Sequence, residues 1–527
     1  MYKICTIWGG TLNRGKSVIV IGAGPGGLAS AMLLCAQGYR VTVLEKQPYV
    51  GGRTSALKVG AYTFDRGPTF LMMPHLLEEL FHASGRWLHD YIKLVEINPL
   101  YRLQFGKTRF EPSRDQEHTA AEIDRVFPGE SKGYLAFMKA EGEKFNRVMP
   151  LLQRPFAKVT DYIRKDTIMA LPKLHLTDHV YGRLSRYFKD ERLRYSFAFQ
   201  SKYLGMSPWE CPGTFTILSY IEHAYGLWHP IGGVNRVCGA MSEVIQEYGG
   251  ELRLGTGVKQ VLTDQRKATG VLLENGETLV ADHVILNADF GTAITQLFEP
   301  RQLKKWKPER LTKLKWSIST YMLYLGIDRK VDMPHHTVMF AGDYSLNLRE
   351  MTQGKLSADA SIYVHNPSAI DPTLAPPGKS ALYILMPVPN LDGETNWSLP
   401  ETLAAMREQV LLRLEQEPEL NGLSGWIEEE KVISPLDWQQ SMYVYKGAAF
   451  NMAHSLDQMM MLRPHNRFED IANCYLVGGG THPGSGLPTI FESARISVKL
   501  LLEQDGRSKP FEQPIKRKHR EEAAVWR

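Results

Sequence analysis

Gly22-Ala-Gly24-Pro-Gly26-Gly27 places glycines where a backbone must come close to a bulky anion. Gly22 permits a tight turn, Gly24 lets the main chain approach a pyrophosphate, and Gly27 allows close packing of a helix on a strand, with Gly26 beside it. Glu45, eighteen residues after Gly27 and followed by Lys46, is an acceptor for the hydroxyls of an adenosine ribose. A second glycine turn, Gly51-Gly52, carries the cation Arg53, and Gly67-Pro68-Thr69 follows soon after. Near the other end the chain reads Gly478-Gly479-Gly480-Thr481-His482-Pro483-Gly484-Ser485-Gly486-Leu487-Pro488. Glycine turns that open helices bring main-chain N–H groups against anionic or polar ligands. Two such units, one at each end, point to one large cofactor gripped by both.

The elements that must position these residues are legible around them. Ser17–Ile21 is an unbroken β-branched run, the mark of a strand buried on both faces of a parallel sheet. A helical run over residues 28–37 ends at Gly38, and a second strand, Arg40–Leu44, ends at Glu45. A lone G-x-G-x-x-G is weak evidence; here strand, helix and acid fall in register. That register does not separate NAD from FAD. The second glycine turn with Arg53 suits a cofactor longer than NAD, whose far end needs its own cradle. At the C-terminal end a short strand (475–477) leads into the glycine stretch, and an apolar helical run (490–502) leads out.

Gly22 through Arg53 resembles the FAD-binding half of the glutathione-reductase-like flavoproteins, which include amine oxidases and carotenoid desaturases. Asn473-x-Tyr-Leu-x-Gly-Gly-Gly-Thr-His-Pro-Gly-Ser-Gly-Leu with Ser493 resembles the bacterial-type phytoene desaturase signature at every defined position. Gly226-Leu-Trp228-His-Pro230-Ile-Gly232-Gly233 is similar to that family's central glycine motif. Ser361-Ile-Tyr-Val, Asp371-Pro-Thr-Leu-Ala-Pro-Pro-Gly378 and the run 383–389 resemble most the desaturases of C30 (diapo) carotenoids.

The resemblance implies an α/β fold: a discontinuous, glutathione-reductase-like (Rossmann-type) FAD-binding domain beside a mixed α+β substrate domain. The first would comprise residues 16–95, 226–296 and 445–505, and the second 96–225 and 297–444, with 506–527 a basic tail without fixed structure. Within the first, a helix over 234–248 and strands over 252–254, 259–263 and 268–273 are expected, with Asn275-Gly276 as a hairpin turn. Val258 matches the position where the family holds adenine through main-chain atoms. In the second, the aromatics Tyr187, Phe188, Tyr195, Phe197, Phe199 and Tyr203 fall in a helix-rich stretch, as core or as ligand contacts.

The cofactor implied is FAD, with the ADP end on Gly22 to Glu45 and the flavin end on Gly479, Gly480, Gly484, Gly486, Leu487 and Pro488. The substrate implied is a linear polyene hydrocarbon held in an apolar channel. Its desaturation removes a hydride, to flavin N5, and a proton from adjacent carbons. The cation left by hydride loss is delocalised, so a weak base suffices, and no His–Asp or paired-carboxylate signature is present. His482 is a candidate acid or base, or else a turn residue bonded to backbone. Glu492 is a candidate for orienting substrate or flavin, or else a first-turn carboxylate favourable to a helix dipole. A terminal-methyl oxygenase or a cis–trans isomerase on the same scaffold is the alternative enzyme. A lipid carrier of the GDP-dissociation-inhibitor type is the alternative without catalysis.

The bulk properties bound these readings. A chain of 527 residues exceeds one core, and a net charge of +5 is too modest to argue for nucleic acid. The charge is uneven: residues 144–194 hold twelve Lys/Arg against five acids, and 301–316 hold seven against one, with Trp306 and Trp316 interleaved. Such runs are either solvated faces or surfaces that dock on anionic lipid with Trp at the interface. Five cysteines, Cys5, Cys35, Cys211, Cys238 and Cys474, without a C-x-x-C, argue against a disulfide framework and against a metal site. With no signal-like apolar stretch in residues 1–15 and no run long enough to span a bilayer, the expectation is a cytoplasmic protein peripherally associated with the cytoplasmic membrane.

Overall fold

A computed structural model describes residues 15–507, so Cys5 and nearly all of the expected basic tail lie outside the described residues. The chain first forms β1 (Ser17–Ile21), α1 (Pro25–Ala36) and β2 (Arg40–Leu44). It returns as α2 (Asn235–Glu247), β3 (Glu251–Arg253) and β4 (His283–Leu286), and again as β5 (Cys474–Leu476) and α3 (Leu487–Gln504). The five strands form one parallel sheet in the order β5-β4-β1-β2-β3. Three separate stretches of chain therefore build one nucleotide-binding type of sheet.

The β-branched run of β1 is buried as its composition demands. Val18 and Val20 pack with Leu28, Met32, Met241 and Val498 on the helical face. Ile19 and Ile21 pack with Val261, Val271 and Phe290 on the opposite face, under a three-stranded meander (Val258–Asp264, Lys267–Leu273, Thr278–Val280). Two helices begin earlier than their apolar runs predict. α1 starts at Pro25 rather than residue 28, because proline's fixed φ suits a helix's first turn, so Gly26 and Gly27 lie inside it. α3 starts at Leu487 with Pro488 in its first turn.

The second layer is a seven-stranded sheet ordered Ile427–Ile433, Ser319–Ile327, Ser380–Val388, Ile362–His365, His336–Met339, Arg102–Phe105, Thr108–Phe110. All its pairs are antiparallel except His336–Met339 with Arg102–Phe105. Helices Gln116–Val126, Ser131–Leu152 and Ile217–Tyr225 lie in the chain between the first two visits to the parallel sheet. Phe188, Tyr195, Phe197 and Phe199 are buried together with Tyr134 and Phe137, and Tyr187 and Tyr203 pack against that core partly exposed. The two layers are tied by hydroxyls: Tyr324 Oη donates to the Arg66 carbonyl at 2.6 Å and Tyr383 Oη to the Gly67 carbonyl at 2.9 Å.

One expectation fails. Trp306 is fully buried, edge-on to Phe290, with Arg310 over its ring and its Nε1 donating to Glu469. Trp316 is half-buried against Tyr445. The basic stretch 301–316 thus turns its indoles inward, where they fill the space beside β4, and offers no tryptophan to an interface.

Candidate cofactor cradle and active site

The glycine turn after β1 is built around a side chain that follows β4. Asn287 Nδ2 donates to the Gly22 carbonyl at 3.1 Å. Gly22 has φ +96°, a backbone conformation that favours glycine. A Cβ on Gly24 would lie 3.0 Å from Asn287 Nδ2, and one on Gly27 would lie 2.2 Å from the Gly22 carbonyl. A Cβ on Gly26 would meet Asn287 Oδ1 at 2.8 Å and both Ile490 and Val477 at 3.1 Å. The N-terminal and C-terminal glycine units therefore touch at Gly26. α1 and α3 both start without a side-chain cap and without an acid in the first turn, which leaves their positive ends for an anion.

Glu45 is buried and accepts main-chain N–H bonds from Ala23 and Gln47, both at 2.8 Å. Burial pushes its pKa above the usual carboxylate value, and main-chain N–H bonds oppose that rise. A carboxylate has lone pairs beyond these two bonds, so the acceptor role remains open. Its carbonyl accepts from Thr256 N–H at 2.7 Å, which carries the chain to Val258 at the start of the meander. Lys46 pairs with Glu274 at 2.8 Å and lies over the Tyr443 ring.

The second glycine turn joins the first: Gly51 N–H donates to the Ala23 carbonyl at 2.8 Å, and a Cβ on Gly52 would lie 3.7 Å from Gly24 Cα. Arg53 is no surface ion pair. It donates to the Ala449 carbonyl at 2.9 Å and to Asn451 Oδ1 at 3.0 Å, and burial lowers its basicity against the pull of Asp289. Gly67 packs on the Arg53 main chain, Pro68 is half-buried, and Thr69 Oγ1 lies 2.6 Å from Tyr363 Oη.

In the C-terminal stretch, a Cβ on Gly479 would meet Asn451 at 2.5 Å, on Gly480 Phe290 at 2.7 Å, and on Gly484 His454 Nε2 at 2.5 Å. Gly486 (φ +107°) precedes Leu487 and Pro488 at the start of α3, and a Cβ there would have only Thr489 Oγ1 nearby, at 3.6 Å. Arg463, which the sequence does not flag, anchors the loop from inside. It is fully buried and donates to the carbonyls of Gly479 (2.8 Å), Met452 (3.2 Å), Thr481, Ala453 and Gln458 (each 3.3 Å). Burial lowers its basicity to about 9.

His482 and Glu492 both face the segment that follows Ser131–Leu152. His482 Nε2 lies 2.9 Å from the Arg154 carbonyl, so it carries the proton, and the ring packs on Phe156. Burial pushes it down to about 4, a neutral ring near pH 7. Glu492 accepts from Gln153 Nε2 at 3.1 Å, and burial raises its carboxyl while Arg495 opposes. Because α3 starts at Leu487, Glu492 lies in the second turn and is not the first-turn carboxylate expected.

Other buried groups with shifted acidity lie outside the predicted set. Asp65 Oδ1 caps α2 by accepting from Val234 N–H at 2.7 Å, and burial lifts it to about 6. Glu222 accepts from Gln200 at 2.8 Å and Tyr101 at 3.2 Å and is lifted to about 7 by burial. Both can exchange a proton near neutral pH. Asp65 directly precedes Arg66-Gly67-Pro68-Thr69 but its cap on α2 is a long-range contact, and Glu222 sits in no motif, so local pattern gives neither role.

The sequence profile of the family described as flavin containing amine oxidoreductase matches residues 25–502. A 4,4'-diapophytoene desaturase (4,4'-diapolycopene-forming) of Methylomonas sp is 46% identical over 490 residues, 93% of this chain and 96% of that relative. A zeta-carotene-forming phytoene desaturase of Myxococcus xanthus is 35% identical over 500 residues, 93% of this chain and 94% of that relative. Among solved structures, putrescine oxidase bound to putrescine aligns with a TM-score of 0.60 at 14% identity over 94% of this chain and 99% of that one. At that identity the likeness speaks for the fold alone.

Proposed function

The chain belongs to the flavin-containing amine oxidoreductases and within them to the carotenoid desaturases, and from that premise we propose that it desaturates a linear carotenoid precursor of the diapophytoene type. It is an FAD-dependent oxidoreductase acting on CH–CH groups. The observation that carries the substrate reading is the 46% identity to a diapophytoene desaturase, sustained over 93% of the chain.

The residues present fit FAD. Gly22 and Gly24 in the turn and Gly26 and Gly27 at the start of α1 stand where a Cβ would be crowded, and a Cβ on Gly52 would reach Gly24. We assign the ADP end to this turn with Glu45, Lys46 and Val258. Gly51, Gly52, Arg53, Gly67, Pro68 and Thr69 would frame the middle, and Gly479, Gly480, Gly484, Gly486, Leu487 and Pro488 the flavin end. Bound flavin supplies a hydride acceptor. The chain's own share is positioning: the uncapped start of α3 offers a positive field, and Arg463 fixes the loop before it. This intact cradle opposes the reading as a carrier without catalysis. The cofactor domain is read as 16–95, 226–296 and 445–505, the three stretches that supply the parallel sheet.

No helix among the described residues is long and apolar enough to cross a membrane. Peripheral docking is the reading we favour, on one surface. Val159 and Ile163 are 67% and 68% exposed, Ile168, Met169 and Leu171 are exposed beside them, and Lys158, Arg164 and Lys165 flank them. Exposed apolar side chains with Lys158, Arg164 and Lys165 outnumbering Asp161 and Asp166 suit an anionic lipid surface. The patch continues directly from residues 153–156, the segment that holds Glu492 and His482. A polyene leaving the bilayer there would enter next to the flavin end.

The decisive experiment expresses the protein in bacteria that accumulate colourless C30 or C40 precursors and identifies the pigment formed. A conjugated C30 product is expected. Hydroxylated or merely isomerised carotenoid would assign the chemistry to an oxygenase or an isomerase instead.

A further inference from the structure

Away from the cradle, three histidines from three strands converge in the interior. His229 lies in Trp228–Pro230, His335 directly precedes His336–Met339, and His365 ends Ile362–His365. All three are buried, and one ring nitrogen of each lies within 4.8 Å of those of the other two. His229 Nδ1, His335 Nε2 and both nitrogens of His365 have no hydrogen-bond partner. Orphaned polar atoms are costly inside a protein, and four in one place call for an occupant.

The remaining nitrogens are held from outside as ligand imidazoles usually are. His229 Nε2 lies 2.8 Å from Asp371 Oδ2, an oxygen that also accepts the Gly232 N–H at 2.7 Å. A carboxylate only accepts, so His229 carries a proton on Nε2, and its partnerless Nδ1 is the atom through which this imidazole would ligate. His335 Nδ1 is 2.9 Å from His336 Nε2, His336 Nδ1 is 2.6 Å from Tyr363 Oη, and Tyr363 Oη is 2.6 Å from Thr69 Oγ1. Read outward from His335 Nδ1–H, that chain supplies a donor for every acceptor and leaves His335 Nε2 as a second lone pair.

We propose that His229, His335 and His365 bind one divalent transition-metal ion of the zinc class. Three neutral imidazoles are the donors such ions take, at about 2.0–2.1 Å, which brings the nitrogens to roughly 3.3 Å from one another. The three nitrogens lie within 4.8 Å of one another, so the rings would have to close towards the ion to reach that spacing. Its effect is mechanical. Trp228–Pro230 leads through Gly232-Gly233 into α2 of the parallel-sheet layer, whereas His335 and His365 belong to the seven-stranded sheet. The ion would clasp the two layers where Thr69 and Asp65 also meet them. Sequence alone pointed to no metal site because it looked for cysteine spacing, and these histidines are scattered over well over a hundred residues.

The test uses the full chain, flavin-loaded and purified without a metal-affinity step. After incubation with zinc and gel filtration, elemental analysis should find about one zinc per chain. His335→Gln and His365→Gln should each retain at least tenfold less. Cobalt exchanged into the wild type should give the intense visible d–d bands of a four-coordinate site with three nitrogen donors and a water in a difference spectrum, which a purely packing role for the histidines would not produce. A wild-type protein without retained zinc and without such bands overturns the proposal, as does zinc held equally by both variants. If the variants do not fold, the wild-type cobalt spectrum decides alone.

Discussion

Asn287 donates its Nδ2 to the Gly22 carbonyl at 3.1 Å, and a Cβ on Gly24, Gly26 or Gly27 would come within 3.0 Å of the same side chain or of that carbonyl. One amide thus sets the shape of the Gly22–Gly27 glycine turn from beneath. Asn287→Asp replaces the donor by an acceptor aimed at a carbonyl and adds a negative charge under the turn. FAD affinity should fall at least about tenfold, or ~1.4 kcal/mol. Titration of the apoprotein with FAD, followed by flavin fluorescence, measures this; an unchanged Kd would remove Asn287 from the cradle.

Arg463 neutralises no carboxylate; its five N–H groups are shared among five carbonyls around the C-terminal loop. Lysine keeps the charge but has three donors on a flexible stem and no planar fork. Arg463→Lys should therefore destabilise by about 2–4 kcal/mol, since buried carbonyls lose partners they cannot replace. The expected readout is a lower denaturant midpoint together with weaker flavin retention. A midpoint equal to the wild type would show that the loop does not depend on Arg463.

These two residues mark the boundary of what the sequence makes legible. The glycine turns, β1 and β2 could be read from local pattern, because φ-positive turns and β-branched runs are local demands. Asn287 acts across the fold, on a carbonyl far away in the chain, and Arg463 gathers carbonyls from both sides of it in the chain; no spacing rule announces either. The first-turn placement of Glu492 missed for a different reason. A helix start near Pro488 is what the glycine turn predicts and α3 begins at Leu487, but counting from there puts Glu492 in the second turn rather than the first. Trp306 failed because charge counting sees the cations of 301–316 but not that Phe290 and Glu469 wait inside for the indole.

The docking surface predicts a salt-sensitive membrane association. Val159 and Ile163 are its most exposed apolar side chains, with Lys158, Arg164 and Lys165 adjacent. The double variant Val159→Asp, Ile163→Asp removes apolar area and adds two negative charges facing anionic lipid. It should lose most sedimentation with anionic liposomes at low salt while keeping its flavin. Raising salt should weaken the wild type, because exposed charges are screened over about 10 Å at 0.1 M. A wild type that stays in the supernatant at low salt would exclude this surface as a docking site.

His482 offers a prediction in which structural and catalytic roles diverge. Its Nε2 proton is committed to the Arg154 carbonyl, and burial holds the ring down to about 4, against about 6.5 in an unfolded chain. Between those values the unfolded chain binds a proton that the folded chain refuses. Stability is therefore complete above pH ~6.5 and declines as pH falls towards 4, by up to about 3 kcal/mol from this ring. His223 and His336, each lowered by burial to about 3, add to the same acid branch, so the informative quantity is the difference between variant and wild type. His482→Gln can keep a donor to Arg154 but cannot titrate. Its stability should decline less steeply between pH 6.5 and 4, and its turnover per bound flavin at neutral pH should stay within about twofold. General acid–base participation would instead cost about a hundredfold or more with flavin still bound. Such a loss, with the stability profile unchanged, would move His482 from positioning the 153–156 segment to handling the substrate's proton.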